Sequence, residues 1–277
     1  MTTITLEETR AAWDRIAAGY DTFVSPMEVP LANEALGRVG LRAGMRFLDV
    51  AAGAGGLCLP AARLGARVTA IDLSPKMLER LLARVREQGL DDVQALVMDG
   101  HELDLPDASF DVVASQFGVM LFPDLPRALA EMVRVAAPGG RVLMIVYGSP
   151  TQIDFLGFFL GAVQNVVPGF PGLPSDPPPF EFQVSDPAVL SDRLREAGLE
   201  DVRVEPSVER LVVASGQELW DWVMNSNPIA EMVVGDLDGT QRAGVRSALD
   251  AMVRERAGSA ERAVLTAPVL IGIGTKD

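Results

Sequence analysis

The chain has 277 residues, of which 48% are hydrophobic, so it is long enough for one large domain with a sizeable core. Its formal net charge of −14 at pH 7 disfavours nucleic acids and anionic membranes as partners, because both require a basic surface. The single cysteine, Cys58, excludes intramolecular disulfides and cysteine-cluster metal sites. We expect Cys58 to be a small buried apolar residue.

Neither the first residues nor the most apolar stretch has a pattern that predicts export or membrane insertion. The first residues are acidic and lack an apolar core, so they do not have the pattern of a signal peptide. The most apolar long stretch, residues 153–168, is broken by Gln164 and Asn165 and falls short of the roughly 18 residues that a membrane span needs. We therefore expect a cytoplasmic protein.

The N-terminal residues predict two helices. Residues 5–19 form the first, since Thr5 and Glu8 have capping-box spacing and Trp13 lies on the same face as the following apolar residues. Gly19 would end this helix as a C-cap, with Tyr20 packing against it, unless Tyr20 serves a ligand site. A second helix is predicted over residues 28–40.

Residues 46–56 are the stretch around which the chain is organised. A short apolar run that includes Asp49 stops at small residues and at Gly53, Gly55 and Gly56, which predicts a buried strand followed by a sharp turn. A helix over residues 57–64 and a second buried strand over residues 67–72 follow. Because that strand ends in Asp72, the pattern predicts the first half of a nucleoside-binding Rossmann-like unit.

The glycine turn does not match a dinucleotide site fully. The G-x-G-x-x-G pattern would place its third glycine at position 58, where this chain has Cys58. Asp49 would repel two phosphates, whereas it suits a ligand that carries an ammonium group. Both features disfavour a dinucleotide site. A nicotinamide-dependent oxidoreductase is kept as an alternative.

The following elements continue the alternation of strands and helices. Ser74 and Pro75 begin a helix whose apolar stripe includes Met77, and strands are predicted over residues 92–98, 110–115 and 141–147, with a helix over 124–135. Ligands of open α/β sheets bind at the carboxyl ends of strands, where the strand order reverses. Strands one and four flank that point, which makes Ser115, Gln116 and Phe117 candidates to contact a ligand.

The composition changes after residue 147. The segment 148–185 holds an apolar run and then prolines at 168, 171, 174, 177, 178 and 179, a pattern of neither helix nor central strand. It would form a substrate cap, or else pack within the chain or as a homodimer contact. Helices over 186–198, 217–227 and 239–257 and strands over 202–213 and 263–275 are predicted next, the last strand antiparallel, with Trp220 and Trp222 joining the cap.

Five segments together resemble the class I S-adenosylmethionine-dependent methyltransferases. The pattern Asp49-x-x-x-Gly53-x-Gly55 resembles the family's first motif, and its later motifs are resembled in order over about residues 45–147 by 70–78, 98–100, 105–113 and 134–141. Residues 13–21 resemble the N-terminal lid of ubiquinone- and menaquinone-type methyltransferases. These methyltransferases close an aromatic side chain at the position of Tyr20 over the methionine end of the cofactor.

The resemblance implies a role for several side chains. Asp72 would accept hydrogen bonds from both ribose hydroxyls, although it also suits the start of the next helix. Asp99 would accept the adenine amino group, unless it only serves the turn before Gly100, and Leu73 and Leu103 would sandwich the ring. His101, the only histidine, matches the adenine end better than a general base. The full set implied to bind cofactor is Tyr20, Asp49, Ala51, Gly53, Gly55, Asp72, Leu73, Met77, Asp99, Gly100, His101, Ser115, Gln116 and Phe117.

The expectation is therefore an α/β protein: a Rossmann-like, seven-stranded, mostly parallel sheet with helices on both faces and a helical substrate cap. Its parts would be N-terminal helices (1–40), a cofactor-binding core (41–147), cap insertions (148–185 and 216–258) and closing elements (186–215 and 259–277). The implied reaction is metal-independent methyl transfer from S-adenosyl-L-methionine, leaving S-adenosyl-L-homocysteine, to an O, N or C nucleophile of a small, largely apolar molecule. A cofactor-binding protein without transferase activity is the other alternative, and no residue identifies a general base.

Overall fold

The computed structural model describes residues 5–174 and 178–277 of the chain. Pro177, one of the clustered prolines, lies outside the described residues. The strands are β1 (Arg46–Val50), β2 (Arg67–Asp72), β3 (Val93–Val97), β4 (Phe110–Gln116), β5 (Ala136–Tyr147), β6 (Leu199–Val213) and β7 (Ala263–Lys276). The α-helices are α1 (Leu6–Gly19), α2 (Ser25–Val39), α3 (Cys58–Arg63), α4 (Pro75–Glu87), α5 (Leu125–Val135), α6 (Asp154–Val166), α7 (Pro187–Glu196), α8 (Gly216–Ser226), α9 (Ile229–Val234) and α10 (Gly239–Ala257).

The strands form one seven-stranded sheet in the order β3-β2-β1-β4-β5-β7-β6. Strand β7 is antiparallel to both of its neighbours, and the pairs among β1 to β5 are parallel. The order reverses between β1 and β4, so a crevice opens at their carboxyl ends. This arrangement confirms the predicted Rossmann-like sheet with an antiparallel last strand.

Two helix starts follow the caps that the sequence predicts, whereas α2 begins at Ser25, before the predicted residue 28. Thr5 and Glu8 form the capping box of α1, and the Ser74 hydroxyl accepts a hydrogen bond from the backbone N–H of Met77 at the start of α4. Gly40 ends α2 in a left-handed conformation, which glycine adopts without strain. Strand β5 differs from the prediction, because it begins at Ala136 rather than 141 and its pairing with β4 shifts register after Phe110.

The first α-helix ends at Gly19 as predicted, but Gly19 keeps a right-handed helical conformation and is not the C-cap that was the alternative for this position. The chain continues from α1 into a π-helical turn, Tyr20–Val24, and then directly into α2. A Cβ atom on Gly19 would lie 1.7 Å from Oδ1 of Asn225, so the glycine permits close packing against α8. The N-terminal helices are thereby fixed to the cap rather than held apart from it.

The cap is built on a long hairpin of β6 and β7. Residues 207–213 of β6 pair with residues 263–269 of β7, mostly beyond the part of β7 that pairs with β5. Helices α6, α8 and α10 pack on this hairpin and form a second hydrophobic cluster, separate from the core of the sheet, that includes Phe159, Trp220, Trp222, Leu249 and Leu265. The apolar run after residue 153 is therefore helical and packed, which corrects the expectation that the segment lacks helix.

In the described parts of the chain, no helix is both long enough and apolar enough to cross a membrane.

Candidate active site

The glycine turn after β1 adopts backbone conformations that larger side chains disfavour. Gly53 has a φ of +53° and Gly55 a φ of +103°, and Ala51 reaches +58° although it is not a glycine. The carboxylate of Asp72, at the end of β2, accepts hydrogen bonds from the backbone N–H groups of Gly53 at 2.9 Å and Ser74 at 2.8 Å. Asp72 thus fixes the turn, and each of its oxygens retains capacity for a further hydrogen bond.

A cavity of about 1030 Å³ opens at the carboxyl ends of β1, β2 and β4. It is lined by eleven of the residues that the resemblance implies, together with part of α1 and the loop after β4. Those eleven are Tyr20, Ala51, Gly53, Asp72, Leu73, Met77, Asp99, Gly100, His101, Gln116 and Phe117. We call this space the cofactor cavity.

One end of the cofactor cavity carries the groups expected to meet adenine. Oδ1 of Asp99 accepts a hydrogen bond from the backbone N–H of His101 at 3.0 Å and lies 2.8 Å from Nδ1 of the same residue. The His101 ring stacks on Phe122 with centroids 4.6 Å apart, and its buried Nε2 has no hydrogen-bond partner in residues 5–174 and 178–277. Leu103 belongs to the hydrophobic core of the sheet and does not line the cavity, although it was expected to pack on the adenine ring. Phe122, which the sequence analysis did not name, lines the cavity at this end.

Three of the implied residues support the cavity wall without lining it. Asp49 is 1% exposed beside Cys58, its Oδ2 has no hydrogen-bond partner among the described residues, and burial raises the pKa of its carboxyl well above the usual range. A Cβ atom on Gly55 would meet Leu81 at 2.7 Å, so this glycine serves packing. The Ser115 hydroxyl accepts a hydrogen bond from the backbone N–H of Val119 at 3.0 Å. Contacts within the protein thus account for Gly55 and Ser115, whereas a buried oxygen of Asp49 has no partner in the described part of the chain.

A second, apolar cavity adjoins the first. It spans about 950 Å³ between the π-helical turn, the ends of β4 and β5, and the cap. We call it the acceptor cavity, and it shares Trp13, Tyr20, Phe117 and Leu121 with the cofactor cavity. None of its described lining residues is Lys, Arg or His. The same three aromatic side chains, Trp13, Tyr20 and Phe117, therefore line the space for a ligand in either cavity.

Glu28 is a site residue that the sequence analysis missed. The Tyr20 hydroxyl donates a hydrogen bond to its Oε1 at 2.6 Å, and a Cβ atom on Gly56 would lie 2.1 Å from its Oε2. Glu28 is 4% exposed, and burial raises the pKa of its carboxyl to about 7. A signal was present, because Glu28 occupies a position of the apolar stripe of α2 between Val24 and Leu31.

The described residues fit a nucleoside bound through its ribose and base. Asp72 offers carboxylate oxygens to a diol, and the unpartnered His101 Nε2 and Gln116 Oε1 are buried in residues that line the same cavity. Left-handed Ala51 and Gly53 allow close approach of a ligand to the backbone. The fold and this cavity define a nucleoside-binding Rossmann-like protein.

Comparisons with known proteins agree with this class. A family model described as a methyltransferase domain matches residues 48–144. Nocamycin O-methyltransferase of Saccharothrix syringae is 30% identical over 240 residues, which cover 81% of this chain and 84% of that protein. The chain therefore belongs to the class I S-adenosylmethionine-dependent methyltransferases.

Two further similarities are more limited. An uncharacterised protein of Mycobacterium tuberculosis is 36% identical over 170 residues, which cover 61% of this chain but only 59% of that relative. Phosphoethanolamine N-methyltransferase 2 of Haemonchus contortus, solved in complex with S-adenosyl-L-methionine, superposes with a TM-score of 0.54 at 20% identity and covers 89% of this chain and 52% of that one. The second similarity supports the fold.

Proposed function

We propose that this protein transfers the methyl group of S-adenosyl-L-methionine to a nucleophilic atom of a small, largely apolar acceptor. The observation that carries the proposal is the contact between the two cavities at Tyr20 and Phe117. Methyl transfer needs the two reactants in line and in contact, and placing them so is the main contribution of such a protein. The cofactor supplies an activated methyl group on a cationic sulfur.

Several residues would hold the cofactor in the orientation that this contact requires. Asp72 would accept hydrogen bonds from the ribose hydroxyls, and Asp99 would meet the adenine amino group. Tyr20 would cover the methionine end, which is supported by the position of its ring 3.5 Å from where a Gly53 side chain would begin. Phe117, with a φ of +56°, would form the wall between methyl group and acceptor.

The apolar acceptor is inferred from the wall of the second cavity. Phe155, Phe159, Leu160 and Trp222 belong to the cap cluster and line the space in which the acceptor would bind. Because apolar side chains exclude water from the reacting atoms, the nucleophile would meet the methyl group without a hydration shell between them. The nocamycin O-methyltransferase relative is consistent with a small-molecule acceptor.

The test has two stages. S-adenosyl-L-homocysteine should raise the melting temperature, whereas NAD should not, because Asp49 and Cys58 replace features of a dinucleotide turn. A shift with NAD alone would identify an oxidoreductase instead. Isotope-labelled S-adenosyl-L-methionine is then incubated with a panel of phenols, amines and carbon acids, and binding without any labelled product would indicate a non-catalytic cofactor-binding protein.

A further inference from the structure

The chain contains two tyrosines, and both line the acceptor cavity with their hydroxyls on buried glutamates. Tyr20 pairs with Glu28, as described above, on the side shared with the cofactor cavity. Tyr147 donates its hydroxyl hydrogen to Oε2 of Glu209 at 3.1 Å, and Glu209 is only 4% exposed. Neither Tyr147 nor Glu209 lines the cofactor cavity, whereas Tyr147 lines the acceptor cavity. The second pair is therefore placed to act on the acceptor.

Tyr147 lies where an acceptor must present its nucleophile. It is the last residue of β5, and its ring stacks on that of Phe117 with centroids 4.3 Å apart and planes 16° apart. Phe117 lines both cavities, so Tyr147 stands one ring away from the cofactor cavity. The hydroxyl of Tyr147 is therefore a polar group at the boundary of an otherwise largely apolar space.

Packing alone does not explain Glu209. It lies on the same buried face of the β6 extension as Leu211 and Val213, where an apolar residue would serve the cluster better. A buried carboxyl is costly unless it is hydrogen-bonded, and Tyr147 is the partner that the structure gives it. The charged or titratable groups that face it are Glu28 and Tyr147, with Tyr20 close to both, and none of them is a cation.

We infer that Tyr147 and Glu209 form a proton-accepting pair, and that the acceptor carries a phenolic or enolic hydroxyl on an apolar body. The inference rests on the proposed methyl transfer and specifies its substrate class. Tyr147 would be a catalytic residue in contact with the acceptor oxygen. Glu209 would act through Tyr147 as the positioning residue and the final site of the proton.

In the proposed step, one methyl group and two protons change partners. A lone pair of the acceptor oxygen forms the new O–C bond while the S–C bond breaks and its electron pair stays on sulfur. The acceptor O–H bond breaks, its proton passes to the Tyr147 oxygen, and the proton of Tyr147 passes to Oε2 of Glu209. The products are a methyl ether, a neutral thioether and a protonated Glu209, which returns its proton to solvent.

A hydroxyl is the group that needs such a pair. A hydroxyl oxygen is a weak nucleophile until a base takes its proton, whereas a neutral amine attacks with its free lone pair. A permanently cationic acceptor would instead need an ionised carboxylate. The Tyr147–Glu209 pair likewise accepts a proton only while Glu209 is ionised. Burial raises the pKa of Glu209 to about 8, so the pair gains proton-accepting capacity as pH rises through that value.

Three naphthalene probes test this without requiring turnover. The full-length protein saturated with S-adenosyl-L-homocysteine is titrated with 2-naphthol, with its methyl ether 2-methoxynaphthalene, and with the cation of 2-(aminomethyl)naphthalene. 2-Naphthol becomes a far stronger acid when excited, so its emission shows whether a proton acceptor touches the bound hydroxyl. The titrations are made at a pH above the value of about 8 for Glu209, where its carboxylate is available.

We expect 2-naphthol to bind about tenfold more tightly than its ether, since one hydrogen bond to a charged pair is lost in the ether, and to emit as naphtholate. Tyr147→Phe and Glu209→Gln should each remove the preference and restore neutral naphthol emission, with unchanged S-adenosyl-L-homocysteine affinity. Glu205→Gln is the control, because Glu205 lies on the same strand, 43% exposed, and pairs with Arg38 outside the cavity.

Each other outcome overturns the inference. Equal binding of naphthol and ether, tighter binding of the cation, or no binding of any probe would refute the hydroxyl acceptor. Naphtholate emission that survives in both variants would place the proton acceptor elsewhere. A protein that fails to bind S-adenosyl-L-homocysteine would contradict the proposed function itself, so the two failures are distinguishable.

Discussion

Replacement of Asp72 by alanine should weaken cofactor binding far more than it weakens folding. A hydrogen bond to a charged group contributes about 1.5–3 kcal/mol, so loss of two ribose contacts should lower affinity by roughly 100-fold or more. The free energy of unfolding should change less, because the substitution has two effects of opposite sign on it. The backbone N–H groups of Gly53 and Ser74 lose their acceptor, but an unfavourable buried charge is also removed.

The sign of the second effect follows from the pKa of Asp72. Burial raises that pKa from 3.8 to about 6, so the folded protein binds the proton more tightly than the unfolded chain. The native state is therefore destabilised as pH rises between these values, by about 3 kcal/mol once Asp72 is fully ionised. Asp72→Ala removes this penalty. The melting temperature of the variant should therefore rise relative to that of the wild type as pH increases from 4 to 6.

Calorimetry with S-adenosyl-L-homocysteine measures the affinity, and thermal melts from acid to neutral pH measure the folding effect. Asp111→Ala is the matched control, since Asp111 lies at the opposite end of the sheet and pairs with Arg46 at 2.6 Å. An affinity loss of less than about threefold for Asp72→Ala would refute the ribose assignment, because even one such bond contributes more.

Three other predictions concern the cap and its contacts. Tyr20→Phe leaves Glu28 without its 2.6 Å partner, so urea melts should show a loss of about 1–3 kcal/mol that is larger above the pKa of about 7 than below it; an added loss of S-adenosyl-L-homocysteine affinity would assign the hydroxyl to the methionine end. Gly216→Ala should lower the melting temperature strongly, because its Cβ would lie 2.1 Å from the backbone nitrogen of Asp250, whereas Gly157→Ala meets no atom within 4 Å and should gain up to about 1 kcal/mol. Hydrogen exchange should slow around the π-helical turn and residues 153–182 when S-adenosyl-L-homocysteine binds; strong protection of both in the free protein would mean a fixed wall.

The cofactor side of the molecule was largely predictable because its signals are local. Strands of the core end near a turn residue or an acid, and α4 and α7 begin at side chains that cap them, Ser74 and Asp186, whereas α2 and α3 begin without a side-chain cap. Such signals depend on neighbours within four residues. The prediction of the antiparallel last strand also held, since β7 had to return along β5 to close the sheet.

The acceptor side was not predictable in the same way, because it joins segments far apart in the chain. Phe155, Phe159 and Val163 recur with helical spacing in α6, but the nearby prolines led to a prediction without helix. Glu28 and Glu209 stand on apolar faces of α2 and β6, and segments distant in the sequence bury them, with Glu28 close to Gly56 and Glu209 bonded to Tyr147. Sequence periodicity indicates such faces but not which elements cover them.

The ionisation state of the Glu28 carboxyl should determine how strongly the protein prefers its cofactor over the product. On the proposed placement, the cationic sulfur lies near Glu28, which is faced by Tyr20, Arg84, Asp49 and Glu209 and has a pKa of about 7. A nearby cation favours the ionised carboxylate, and by reciprocity the ionised carboxylate favours the cation. The preference for S-adenosyl-L-methionine over the neutral S-adenosyl-L-homocysteine should therefore be present above pH 7 and decline as pH falls through that pKa. Calorimetry of both ligands between pH 6 and 8 measures the ratio of affinities, and Glu28→Gln should make it independent of pH. A ratio that does not change with pH in the wild type would place the sulfonium away from Glu28 and leave this carboxyl a partner of Tyr20 alone.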